Sequence, residues 1–210
     1  MSLSTWLAFF VASWLISLSP GAGVISCMAA GMRYGYARAL WNIAGLQLGI
    51  VLTMAIVAAG LGAILATSAI AFTAIKWLGA AYLVWLGIQQ WRAPSFGVDA
   101  EAAQRGLSGA PHQLLLRGFL VNATNPKGIL FMLAVLPQFI DPAKPQLPQY
   151  AICAATIFFT DLVVMSAYTA LAAKVLRALR EPHHIPLMNR TFGGLFVAAG
   201  ALLATFKRAA

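Results

Sequence analysis

LVNATNPKGILFML, Leu120 to Leu133, sets a lysine and two asparagines around a proline inside an apolar run. The surrounding segment, 114–137, is long enough to cross a bilayer, for which about 20 apolar residues suffice. Proline removes a backbone donor and crowds the carbonyl four residues earlier, so Pro126 frees polar groups that lipid cannot satisfy. Lys127 adds an ammonium two to three turns from either helix end, and burying it costs roughly 2.5–3.5 kcal/mol on insertion scales. The stretch therefore reads as a spanning helix broken near its centre, carrying a charge that calls for a partner or a function.

The rest of the chain agrees with a membrane setting. Of 210 residues, 61% are hydrophobic and 9% charged, and the mean hydropathy is +0.82, far from soluble-domain composition. The long apolar runs lack the alternation of barrel strands, which leaves an all-α polytopic membrane protein. Lys and Arg number 14 against 5 Asp and Glu, but they cluster in short connections, where they set orientation and give no support to a nucleic-acid partner. Cys27 and Cys153 stand singly in apolar segments as small packing residues. The N-terminal run has no basic flank before it, so the first helix is expected to be retained, not cleaved.

Apolar runs and their polar punctuation predict six transmembrane helices at 5–31, 40–65, 72–91, 114–137, 149–173 and 188–206. The uncharged stretch from Ala39 to Ile75 is too long for one helix, so a tight turn is expected at Ala66-Thr67-Ser68. Arg33, Arg38, Arg92, Arg105, Arg117, Lys174, Arg177, Arg180 and Arg190 collect on the side of the 1–2, 3–4 and 5–6 connections. The positive-inside bias puts that side in the cytoplasm and both termini outside, in a multi-pass inner-membrane protein.

The chain reads as a single membrane domain, 1–210. Its most polar connection, 92–113, rich in Gly and Pro, divides a three-helix half at 1–91 from another at 114–210. Three is odd, so related halves would enter the membrane with opposite orientation. Laying Pro20 on Pro126 aligns WLISLSPGAGVI with LVNATNPKGILF: an aliphatic lead, small polar residues, a proline, a glycine and an apolar continuation. The inverted-topology halves would then have broken first helices at matching positions, a pointer to a midplane transport site.

Ser17 and Ser19 at the first break, with Asn122, Thr124 and Asn125 at the second, supply donors and acceptors for the freed backbone. Gly21, Gly23 and Gly128 allow a backbone or small ligand to approach, and the half-helix N-termini after the breaks suit a carboxylate. The plain structural alternative is a pair of proline kinks repaired by Ser and Asn. Asp161, in FFTDLVVMSAY, is the only acidic residue within any predicted span and is the expected counter-charge to Lys127. Two roles stay open for this pair: neutralising a buried charge, or coupling transport to protons as the pair separates.

Asn42 and Gln47 on the second helix are candidates for a transport path, though amides also serve as interhelical glue. Gly45, Gly49 and Thr53 form a small-residue stripe suited to close packing. Tyr168, two turns beyond Asp161, would help close a cavity or sit as an interfacial aromatic. No metal site or cofactor is expected: the spans hold no histidine, and His183 and His184 lack local partners. No histidine–carboxylate cluster or paired-cysteine motif supports an enzyme or thiol carrier.

LSPGAG, GMRYGYARALWNIAGLQLG, WLGAAYLVWLGIQQWR, GFLVNATNPKGILFMLAVLPQFIDP and FFTDLVVMSAY together resemble the LysE/RhtB family of bacterial amino-acid exporters over nearly the whole chain. The resemblance implies a six-helix inner-membrane exporter with pseudo-symmetric halves, moving amino acids or related metabolites outward in exchange for protons. Ser19, Pro20 and Gly21 match the first-helix motif, Asn125, Pro126 and Lys127 the fourth-helix motif, and Asp161 the fifth-helix acid. The family pattern Ser-Pro-Gly-Pro-Asn has Ala22 and Gly23 at its last two places here. Export of a metal ion, as in the wider superfamily, and a non-transporting structural or partner-binding subunit are the alternatives. The glycine stripes would serve within one protomer or between two, leaving a homodimer open.

Overall fold

The computed structural model describes residues 1–67, 69–92, 109–172 and 184–205. Among them all regular structure is helical: α1 Leu3–Leu18, α2 Ala22–Tyr34, α3 Tyr36–Thr67, α4 Ala69–Arg92, α5 Pro111–Ala123, α6 Pro126–Val135, α7 Gln146–Ala170 and α8 His184–Thr205, with a 3-10 turn at Leu136–Phe139. Helices thus occupy all six predicted segments. The boundary between α3 and α4 falls where the turn at Ala66-Thr67-Ser68 was expected, Ser68 itself lying outside the described residues. So do 93–108 of the expected 92–113 linker, and His183, Arg105, Lys174, Arg177 and Arg180 of the connections.

Both predicted breaks are present. α1 and α2 meet at 55° and α5 and α6 at 51°, the latter measured through Phe139. Among the described residues two helices, Tyr36–Gly60 and Gln146–Ala170, are long and apolar enough to cross a membrane, or up to four spans if each bent pair is one. Many large apolar side chains face outward, including Trp77, Leu78 and Trp85, as a lipid-facing surface requires and a soluble monomer avoids.

Local chemistry explains the element ends. The Ser2 hydroxyl caps α1 through Thr5 N–H, and the residue before a proline disfavours helix, so α1 stops at Leu18. α2 ends at Gly35, whose φ of 80° is open to glycine. Pro111 and Pro126 occupy first-turn positions of α5 and α6, where a missing N–H removes no helical bond.

Packing is closest where glycines let backbones touch. α3 lies along α5: a Cβ on Gly45 would run into the Leu115 carbonyl, one on Gly118 into the Asn42 carbonyl, and one on Gly49 would come within 2.9 Å of Ala123 N. The stripe read from the sequence is therefore a packing seam for two of its three residues. Thr53 turns its hydroxyl back to the Gly49 carbonyl at 2.9 Å. α4 lies along α8 in the same way through Gly87, Gly193 and Gly200. One apolar cluster runs from Phe9 through Met54, Phe131 and Ile157 to Phe196. A second joins Val24, Leu46 and Met165, and the space between the two clusters contains the site.

Candidate functional site

At the first break the carbonyls ending α1 are met from other helices. Tyr168 of α7 donates its hydroxyl to Leu18 O at 2.9 Å, and Lys127 of α6 donates its ammonium to Ser19 O at 2.9 Å. Gly21, the N-cap of α2, has no side chain to offer, so the first N–H groups of α2 lack side-chain capping. Ser17 and Ser19 are only 4% and 2% exposed, yet neither hydroxyl has a hydrogen-bond partner among the described residues. Buried polar groups normally have one.

The second break is closed by its own residues. Asn125 caps α6, its side-chain oxygen accepting from Lys127 N–H at 3.1 Å. Thr124 donates to Leu120 O at 2.7 Å, and Asn122 donates across to Leu46 O on α3, also at 2.7 Å. Lys127 Nζ also lies 5.8 Å from the centre of the Phe196 ring of α8, a distance at which cation–π attraction acts.

Asp161 of α7 is buried, and its carboxylate accepts from Gln47 Nε2 at 2.7 Å. Ser17 faces the same carboxylate without reaching hydrogen-bond geometry, and Gln47 Oε1 is itself buried without a partner among the described residues. The direct Lys127–Asp161 ion pair expected from the sequence is not formed. The ammonium takes the freed Ser19 carbonyl and the carboxylate takes the Gln47 amide, each satisfied by a nearer neutral group. The two charges nonetheless line one cavity and act on each other across it.

That cavity, about 70 Å³, has room for several waters at ~10–15 Å³ each. Ser17, Ser19, Gly21, Asn122, Asn125, Lys127 and Asp161 all line it. Pro20 and Pro126 make the breaks without lining it, and Gln47 acts through Asp161. Asn42 and Tyr168 lie off the cavity: Asn42 is fully buried, accepting from Ser26 Oγ at 3.2 Å and donating to Leu114 O at 3.1 Å, which ties α2, α3 and α5 together. The apolar wall went unread as a site, although Ile157, Asp161 and Met165 recur every four residues on one face of α7. Phe196 carried no sequence signal at all. Among the described residues no three of His, Cys, Asp or Glu gather to hold a metal.

A broken-helix cavity of this kind, holding one ammonium and one carboxylate, sits within a chain whose residues 14–206 match the model of the LysE type translocator family. The chain belongs to that family. As a LysE type translocator it is a bacterial membrane protein and a transporter, as the quoted motifs had suggested. It is 44% identical over 99% of its length to an uncharacterized membrane protein of Vibrio cholerae, all of which is covered. It is 43% identical to the homoserine/homoserine lactone efflux protein of Salmonella typhimurium, over the whole of both chains. To the leucine efflux protein of an Enterobacter species it is 29% identical, covering 97% of this chain and 96% of that one. No solved structure matches.

Proposed function

We propose that this LysE type translocator is a secondary exporter of amino acids and amino-acid-like metabolites across the inner membrane, driven by proton exchange. The observation that carries the reading is a cavity bordered by two helix breaks, with Lys127 and Asp161 both lining it and two buried serine hydroxyls that lack hydrogen-bond partners among the described residues. A zwitterion complements that arrangement. Its carboxylate suits Lys127 and the uncapped N-terminus of α2, and its amine suits Asp161 with Ser17. Relatives bearing the names homoserine/homoserine lactone efflux protein and leucine efflux protein support cargo of this class.

The exporter would cross the membrane six times in two inverted halves and expose the cavity alternately to either side. The two similar bends support this, as does the pairing of α3 with α5 in parallel with that of α7 with α1. Lys127 joins the breaks through the Ser19 carbonyl, so a cargo carboxylate that draws the ammonium away would free α1 from α6. Asp161 would carry the proton, exchanging its Gln47 contact for the incoming amine. Both termini would lie outside the cytoplasm.

Inverted membrane vesicles test the reading. An acid-inside gradient should drive accumulation of homoserine in vesicles containing the protein, and collapse of the gradient should abolish it. Asp161→Asn should lose the gradient-driven accumulation. Full gradient-driven activity in that variant would exclude the proton role, and an inactive wild type against a broad amino-acid panel would exclude export.

A further inference from the structure

Three glycines line the cavity, and what surrounds each separates them from the glycines of the packing seams. At Gly45, Gly49, Gly79 and Gly118 an added Cβ would strike the backbone of a neighbouring helix, so the fold itself demands glycine there. At Gly21, Gly23 and Gly128 an added Cβ would meet only side-chain atoms, all at 3.6 Å or beyond. None of the three has positive φ. Neither packing nor backbone conformation requires glycine at these places, and the space they leave is cavity.

The three do not face the same chemistry. A Cβ on Gly21 would sit 3.8 Å from the Lys127 ammonium and one on Gly128 would sit 3.7 Å from Asn122 Oδ1, whereas one on Gly23 would meet only the Leu46 methyls at 3.6 and 4.0 Å. Gly23 therefore opens the apolar side of the cavity. Ser19, more than nine-tenths buried and with no hydrogen-bond partner among the described residues, lies on the cavity lining with Ser17, Lys127 and Asp161 and marks its polar side as able to take a ligand.

We infer that Gly23 is a specificity-determining residue: the cargo's side chain lies in the cavity beside Gly23 and Leu46, and the missing Cβ at position 23 sets how long that side chain can be. The charged ends, common to every amino acid, lie instead on the side of Gly21, Lys127 and Asp161. This rests on the exporter reading and adds a size limit to it. A hydrophobic pocket discriminates about 10–200-fold per methylene, so one methyl group at position 23 produces a measurable shift in cargo preference.

The experiment measures initial rates for alanine, homoserine and leucine in inverted vesicles containing wild type, Gly23→Ala, Gly23→Val or Gly21→Ala. Gly23→Ala should lower the rate for the longest accepted cargo at least ~10-fold relative to alanine, and Gly23→Val should move the cutoff to a shorter side chain. Gly21→Ala should lower all three rates by a common factor. Because the added methyl fits and alanine favours helix over glycine, the detergent-purified Gly23→Ala protein should melt no lower than wild type. A common factor for all cargos in Gly23→Ala, or a lowered melting temperature, overturns the inference while leaving export intact. A wild type that moves none of these three or of a broad amino-acid panel overturns the exporter reading, and the size limit with it.

Discussion

The two helix breaks bend by nearly the same angle and are held by opposite means. The second satisfies itself: Asn125 caps α6, Thr124 closes the end of α5 and Asn122 fastens the break to α3. The first has a glycine for its cap and depends on Lys127 and Tyr168 to reach its carbonyls from other helices. A break closed by its own residues keeps its shape whatever its neighbours do. One closed from outside changes when a partner leaves, so in the proposed transport cycle the second break would act as a fixed frame and the first as the part that responds to cargo.

The sharpest way to break this contrast is Lys127→Met, which leaves the Ser19 carbonyl without its charged donor. A hydrogen bond to a charged group contributes about 1.5–3 kcal/mol, so the initial export rate should fall roughly 10–100-fold. A rate within twofold of wild type would show that the first break does not depend on α6. Next in size is Gly45→Ala, which forces a methyl group into the α3–α5 seam carrying the second break. Overpacking of this kind costs about 1–3 kcal/mol, seen as a lowered melting temperature.

Asn125→Ala should have a smaller effect on stability, about 1 kcal/mol for a lost cap, seen as a modestly lowered melting temperature. Ser19→Ala is its counterpart at the first break. The Ser19 hydroxyl has no hydrogen-bond partner among the described residues, so stability should be unchanged while cargo affinity drops. Equal stability losses in the two variants would remove the distinction between a self-capped break and an open one.

Much of this architecture was legible in the chain because prolines and glycines act locally. Pro20 and Pro126 mark the breaks without knowledge of any neighbour, and Gly45 and Gly49 announce close packing by their spacing alone. The expected Lys127–Asp161 pair failed for the opposite reason. Charge counting identifies two groups that need partners but does not say how far apart two helices hold them, and here a freed carbonyl and the Gln47 amide lay nearer. Asn42 stood open between two readings, since a polar residue in a span reads alike whether it lines a path or, as here, ties three helices together. The apolar wall from Leu46, Phe131 and Met165 was invisible because those side chains differ from lipid-facing ones only in where they point.

The central claim is that cargo binds at the first break beside Ser19, and accessibility of that position tests it most directly. In a protein with Cys27→Ala and Cys153→Ala, whose native thiols are buried, Ser19→Cys would be labelled with a small membrane-permeant thiol reagent, with and without saturating homoserine. Bound cargo should slow the labelling of Ser19→Cys several-fold and leave a lipid-facing control, Leu162→Cys, unaffected. Unchanged labelling at position 19 in protein that still exports homoserine would contradict the account.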